Sequence, residues 1–122
     1  IFGQNGMNKE RIEAFRVQFY TKQLQLTSEE SQGFWPIFNK MEKDKEALKK
    51  KYRPDRKFEL MNDSEVENFI ADRLAMEEEG LALKRNYVEE LKGVLPIRKV
   101  AMVFRVEQQF KKRFGKAPSE YI

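Results

Sequence analysis

Leu24-Gln25-Leu26-Thr27-Ser28-Glu29-Glu30-Ser31-Gln32-Gly33-Phe34-Trp35-Pro36 reads as the end of one helix, a tight corner and the start of a longer helix. Leu24 and Leu26 close an apolar pattern that recurs upstream at helical spacing. Thr27 has the residue type of an N-cap, whose hydroxyl accepts from the unpaired N–H groups of the next turn. Glu30, three residues on, can reach back to the N–H of Thr27 and complete a capping box. Glu29 and Glu30 also place negative charge where the positive end of the helix dipole stabilises it. A joint of this kind sets two helices side by side.

Upstream of the corner, Gly and Asn make residues 1–8 read as a disordered lead-in. Asn8 is then the cap of a first helix that runs to about Leu26. Ile12, Phe15 and Phe19 form its apolar stripe, flanked by Val17, Tyr20 and Leu24. Downstream, Gly33 and Pro36 fall early in the second helix. Proline lacks an N–H and crowds the preceding turn, which predicts a bend between Gln32 and Pro36 or a short separate first turn. Phe34, Phe38, Met41, Leu48 and Tyr52 then keep heptad spacing, with Lys45 in the remaining slot. Such a seam suits a long antiparallel neighbour.

Arg53-Pro54 ends that helix, because the residue before a proline is pushed out of the α region. Residues 53–63 read as the main turn, with Phe58, Leu60 and Met61 tucked beneath it. Asn62 to Glu65 offer caps for a third helix carrying Val66, Phe69, Ile70, Leu74, Leu81, Val88 and Leu91 on one side. Gly93 suits a C′ position, and Pro96 the first position of a fourth helix with Val100, Val103, Phe104, Val106, Phe110 and Phe114. Gly115 and Pro118 release a frayed tail over residues 115–122. The expected fold is all-α: one domain over residues 9–114, in which helices two and three form a long antiparallel hairpin. Two shorter helices join that hairpin at corners.

Composition narrows the chemistry. The 122 residues contain no cysteine and no histidine, while charged residues make up 36%. Disulfides, thiolate zinc sites and Ser-His or Cys-His nucleophilic catalysis are therefore excluded. Adjacent carboxylates such as Glu77, Glu78 and Glu79 point in different directions on a helix, and no loop has calcium-binding spacing. The chain is not expected to be an enzyme or to need a cofactor. No apolar run of about 18 residues is present, so no span of a membrane is expected. No signal peptide remains at the start as numbered.

Charge is distributed in blocks. Lys43 to Lys57 holds 8 basic and 3 acidic residues, Asp63 to Glu79 holds 7 acidic and 1 basic, and Arg98 to Lys116 holds 7 basic and 1 acidic. The acidic start of helix three should therefore lie against a basic helix, in the same chain or in a partner. Lys49-Lys50-Lys51-Tyr52-Arg53 and Lys111-Lys112-Arg113 have the charge to track phosphates, but nothing matches a recognition helix or a base-stacking sheet. No nucleic-acid partner is expected.

Leu26-Thr27-Ser28-Glu29-Glu30 resembles the Leu-Thr-x-x-Gln signature of the LTXXQ-motif family of periplasmic proteins, which includes CpxP- and Spy-like stress proteins and metal-resistance sensors. Glu30 stands where the family has Gln, and it can fill the same capping role. Phe34-Trp35-Pro36 is similar to a Bacteroidetes-type branch. The second corner, Leu95-Pro96-Ile97-Arg98-Lys99, keeps only the Leu of a second motif. The resemblance implies a periplasmic, ATP-independent chaperone or envelope-stress adaptor that forms a curved antiparallel homodimer. A thin layer of helices has little interior, and burial of one apolar face between two copies agrees with that.

On this view Arg98, Lys99, Arg105, Lys111 and Lys112 attract unfolded or envelope proteins by charge, and Phe104 and Phe110 retain them by apolar contact. Leu26, Thr27 and Glu30 are motif and capping residues. A metal-responsive regulator of the same family is an alternative, although family sensors of this kind use histidines. A structural helical adaptor with one folded partner is another.

Overall fold

A computed structural model of the chain describes residues 2–115, with side chains described from residue 9 onward. Among these residues there are four helices and no strand: α1 (Phe2–Leu24), α2 (Ser28–Lys51), α3 (Asp63–Lys92) and α4 (Ile97–Phe114). A single 3-10 turn, Phe58–Leu60, lies between α2 and α3. The chain is all-α, with α2 and α3 forming the long hairpin.

α1 is not short. Its 23 residues nearly match the 24 of α2, because the backbone is helical from Phe2 rather than from a cap at Asn8. Once packing has nucleated a helix, each further residue adds a hydrogen bond, so weak helix formers can extend it. The lead-in expected over residues 1–8 is thus helical from Phe2, and residue 1 lies outside the described residues, as does the expected tail from residue 116.

The first corner forms as its residues dictate. Thr27 Oγ1 accepts from the N–H of Glu30 at 3.1 Å, and Glu30 Oε1 accepts from the N–H of Thr27 at 3.0 Å. Gln25 turns the chain with a φ of 51°. Asn62 and Glu65 repeat the same reciprocal box at the start of α3, at 2.9 and 3.0 Å. The separate first turn named as one alternative near Pro36 does not form, and α2 is one helix through that residue. Proline at position 36 deprives the Gln32 carbonyl of its donor. Both residues are exposed, so water can take that carbonyl.

The core sits at one end of the molecule. Tyr20 and Leu24 of α1, Phe34, Phe38 and Met41 of α2, Tyr87 and Leu91 of α3, Leu95 of the second corner, and Val100, Val103, Val106 and Phe110 of α4 are all buried. The ring of Tyr20 lies 5.0 Å from Phe38, 6.0 Å from Phe110, 6.2 Å from Trp35 and 6.4 Å from Phe34. α1 and α4 pair in opposite directions, Phe19 against Phe110 at 5.9 Å and Phe15 against Phe114 at 6.0 Å. Between Lys43 and Asn86 no side chain is fully buried, and beyond the Lys45–Glu107 contact with α4 the outer part of the hairpin is a two-helix arm.

Three apolar expectations are corrected. Phe15 is 44% exposed, because the inward positions of α1 are Tyr20 and Leu24. Phe58 and Leu60 are 55% and 69% exposed rather than tucked beneath the turn, since two helices leave no interior there to receive them. On α3, what reads as one stripe is two. Gly80 faces Leu48, and Leu83 and Tyr87 meet α2 near Met41, whereas Ile70, Leu74 and Leu81 form a separate open row.

The charge blocks pair within the chain along the arm. Lys51 Nζ reaches Glu79 at 2.8 Å, Arg56 reaches Glu65 at 3.3 Å, and the Tyr52 hydroxyl donates to Glu79. Glu79 is held below the usual carboxylate range, first by Lys51 and then by Tyr52. One pair thus ties the end of α2 to the middle of α3, and a second ties the connection after α2 to the start of α3.

The two corners touch at Gly33. A Cβ there would stand 2.7 Å from Val94 Cγ1 and 2.8 Å from its Cβ, and the latter cannot rotate away. Gly33→Ala should therefore destabilise the fold by about 1–3 kcal/mol despite alanine's better helix propensity. Urea denaturation measures this, and adding Val94→Ala should recover part of the loss.

Candidate functional site

α4 carries most of the residues singled out by sequence. Its inward positions Val100, Val103, Val106 and Phe110 recur at three- and four-residue steps, which fixes the opposite face as solvent. The helix starts at Pro96, whose carbonyl accepts from the N–H groups of Lys99 and Val100, and ends at Gly115 in a left-handed conformation, φ 78°. That orientation sets Arg98, Arg105 and Lys112 in one outward row at seven-residue steps, about 10.5 Å apart along the helix. Lys111 is also exposed, on the flank of the row. None of these four forms an ion pair with a carboxylate among the described residues.

Two of the expected contact residues are not on that surface. Phe110 is fully buried, against Tyr20, Phe19 and Phe114, so its apolar area belongs to the core. Lys99 is held: its ammonium donates to Glu30 Oε1 at 2.6 Å and to the Gln25 carbonyl at 2.7 Å. It ties the second corner to the first through the carboxylate that caps α2. Phe104 is half-buried, edge-on to Tyr87 at 6.3 Å, with Lys84 Nζ 5.9 Å from its ring centre. Leu26 is half-buried against the core, and Thr27 is exposed as a cap.

Other features are not apparent from composition or motif. Ile97 is 66% exposed at the head of the basic row. Between α3 and α4 lies an open groove of about 410 Å³ lined by Leu81, Lys84, Arg85, Val88, Phe104, Glu107 and Gln108. It opens because α4 leaves α3 to follow α1. The open row Ile70, Leu74 and Leu81 leads into it along α3; its four- and seven-residue steps were visible, but not that α4 would leave it uncovered.

A polar group also lies in the core. Glu42 is almost fully buried, Lys45 Nζ lies 3.7 Å from it and 3.3 Å from Glu107, and the hydroxyls of Tyr20 and Tyr87 have no partner among the described residues. Burial raises both phenols far above their ordinary range, and Glu107 and Glu42 add to this. They therefore act as neutral rings.

Cations in a solvated row, flanked by scattered apolar side chains, can hold an anionic or unfolded segment without enclosing it. Among the described residues no three His, Cys, Asp or Glu side chains converge on a metal-sized site, and no helix is long and apolar enough to cross a membrane. No family model, curated protein or solved structure matches the chain.

The Glu30 carboxyl is held below the ordinary range, first by the Lys99 hydrogen bond and then by the N–H of Thr27. A depressed carboxylate pKa adds stability that is present above the unfolded-state value, about 4.3, and is lost as pH falls through the folded value. Glu30→Gln keeps the cap but removes the charge pair. It should lower the melting temperature at neutral pH and flatten the decline below pH 5, as read by circular dichroism.

Proposed function

We propose that this chain is an ATP-independent chaperone or envelope-stress adaptor of the periplasm, holding unfolded or partner proteins on the outward face of α4. The observation that supports this best is the row Arg98, Arg105 and Lys112. It is exposed and unpaired among the described residues, and it stands on the solvent face of a helix whose opposite side is packed into the core. Lys111 extends the charge, and Ile97 and the exposed part of Phe104 supply apolar contact. Charge of this kind attracts acidic segments over about a Debye length, and small apolar contacts then retain them weakly enough for release.

The test is aggregation of a chemically unfolded protein, followed by light scattering without ATP. Substoichiometric chain should suppress scattering, less so as salt rises. Arg105→Glu with Lys112→Glu should abolish most of the suppression while leaving the melting temperature unchanged. Suppression equal to wild type in that variant would remove the α4 face from consideration.

The homodimer is part of the same reading, and α3 supports it. Leu74, Leu81 and Val88 stand at seven-residue steps. Glu77 and Glu78 lie one turn before Leu81, and Lys84 and Arg85 one turn after it. Two such helices paired antiparallel about Leu81 would set carboxylates against cations on both flanks, whereas parallel pairing would oppose like charges. The partner's Leu74 would meet Val88 at the α3–α4 groove. Because the chain has no cysteine, introduced ones report cleanly. Leu81→Cys should form a disulfide between two copies, and Leu74→Cys should cross-link to Val88→Cys rather than to itself.

A further inference from the structure

The far end of the hairpin has a chemistry that neither α4 nor the α3 row explains. Phe58 and Leu60, on the 3-10 turn, are 55% and 69% exposed, and Leu60 is more exposed than any other large apolar residue described. Phe58 rests partly on Phe69, ring centres 5.9 Å apart, which props the turn outward. Around this pair the stretch Lys49 to Leu60 holds six cations against Asp55 and Glu59. Lys51 and Arg56 are occupied by Glu79 and Glu65, but Lys49, Lys50, Arg53 and Lys57 are exposed and pair with no carboxylate among the described residues. The carboxylates that follow, Asp63 and Glu65, sit on the positive end of the α3 dipole, and Glu65 also faces Arg56.

We propose that this tip docks on a bilayer surface rich in anionic phospholipid. Phe58 and Leu60 enter the headgroup layer, and Lys49, Lys50, Arg53 and Lys57 meet the lipid phosphates. Three features favour a bilayer over a folded protein or a nucleic acid. The apolar pair stands on a convex turn, which suits a yielding surface better than a preformed groove. Long basic side chains beside it can extend along the apolar boundary while keeping their charges in water. Apolar insertion and charge attraction add together at an anionic interface, where either alone binds weakly. Nucleic-acid binding would use the cations but not Leu60, which offers no stacking face. The arm also has the reach: α2 is 24 residues, about 36 Å, which sets the tip that far from the corner where Arg98 begins the α4 row.

The experiment uses the full chain with vesicles of phosphatidylglycerol and phosphatidylcholine, and with vesicles of phosphatidylcholine alone. The chain should co-sediment with the anionic vesicles, less so as salt rises, and not with the neutral ones. Phe58→Ser with Leu60→Ser should lower partitioning about tenfold. Both side chains are exposed, so the melting temperature should hold. Lys50→Glu with Arg53→Glu and Lys57→Glu should abolish binding, while Arg105→Glu with Lys112→Glu should leave it unchanged.

A nitrobenzoxadiazole label on Leu60→Cys should shift to shorter wavelength on anionic vesicles, and the same label on Gln109→Cys should not. Equal binding to neutral vesicles, an unshifted label at position 60, or wild-type partitioning of the serine variant would each overturn the proposal. So would binding to single-stranded RNA that is indifferent to Phe58 and Leu60 and displaces the vesicles. Client holding is read on other residues, so its success or failure is independent of this result.

Discussion

The fold depends on one buried ring. Tyr20 projects from α1 into the space where α2 and α4 meet, and Phe34, Trp35, Phe38 and Phe110 pack around it. Each aromatic pair of this kind adds about 0.5–1.5 kcal/mol beyond the area it buries. The position tolerates an unsatisfied hydroxyl and the nearby carboxylates of Glu42 and Glu107 because the ring fills the junction. Removing it would take away the ring through which α1 meets Phe34, Trp35 and Phe38 of α2 and Phe110 of α4. The close contact of Gly33 with Val94 and the Lys99–Glu30 clamp then fix how the two corners lie against each other.

This arrangement divides the molecule. Near the corners, four helices share an interior of aromatic and β-branched side chains. Beyond Glu42 the arm relies on half-buried Leu48, Tyr52, Met76 and Leu83, on heptad fit, and on the grouping of Lys51, Tyr52 and Glu79. Charge divides with it. The arm pairs Lys51 and Arg56 with α3 and leaves four cations at its tip, while the outward row of α4 presents three more that no carboxylate answers among the described residues.

Much of the architecture was legible in the residues. The capping box at Thr27, the run of cap residues from Asn62 to Glu65, the heptads of α2 and the valine ladder of α4 are local patterns whose physics does not depend on distant contacts, and they located three helices. The misplaced residues are those decided by tertiary packing. Phe110 and Lys99 lie in a basic stretch and look solvent-facing by composition, yet Phe110 falls on the inward side of α4. Lys99 falls beside a carboxylate almost seventy positions earlier in the chain. Ile70, Leu74 and Leu81 have the spacing of a core stripe and lost their cover only because α4 turns toward α1. Phe58 and Leu60 read as tucked beneath the turn and are exposed, since burial there depends on whether a third layer exists.

The absence of any fully buried side chain between Lys43 and Asn86 has a consequence for how this architecture can change. Where no residue is locked into a unique cavity, whole heptads can be gained or lost from both arms of the hairpin together without disturbing the corner end. Each such step would alter the length of the arm by about 10.5 Å and leave the aromatic junction untouched. The span between the two ends is thus a separately adjustable dimension, open to drift or to selection, while the anchoring half stays under strict geometric control.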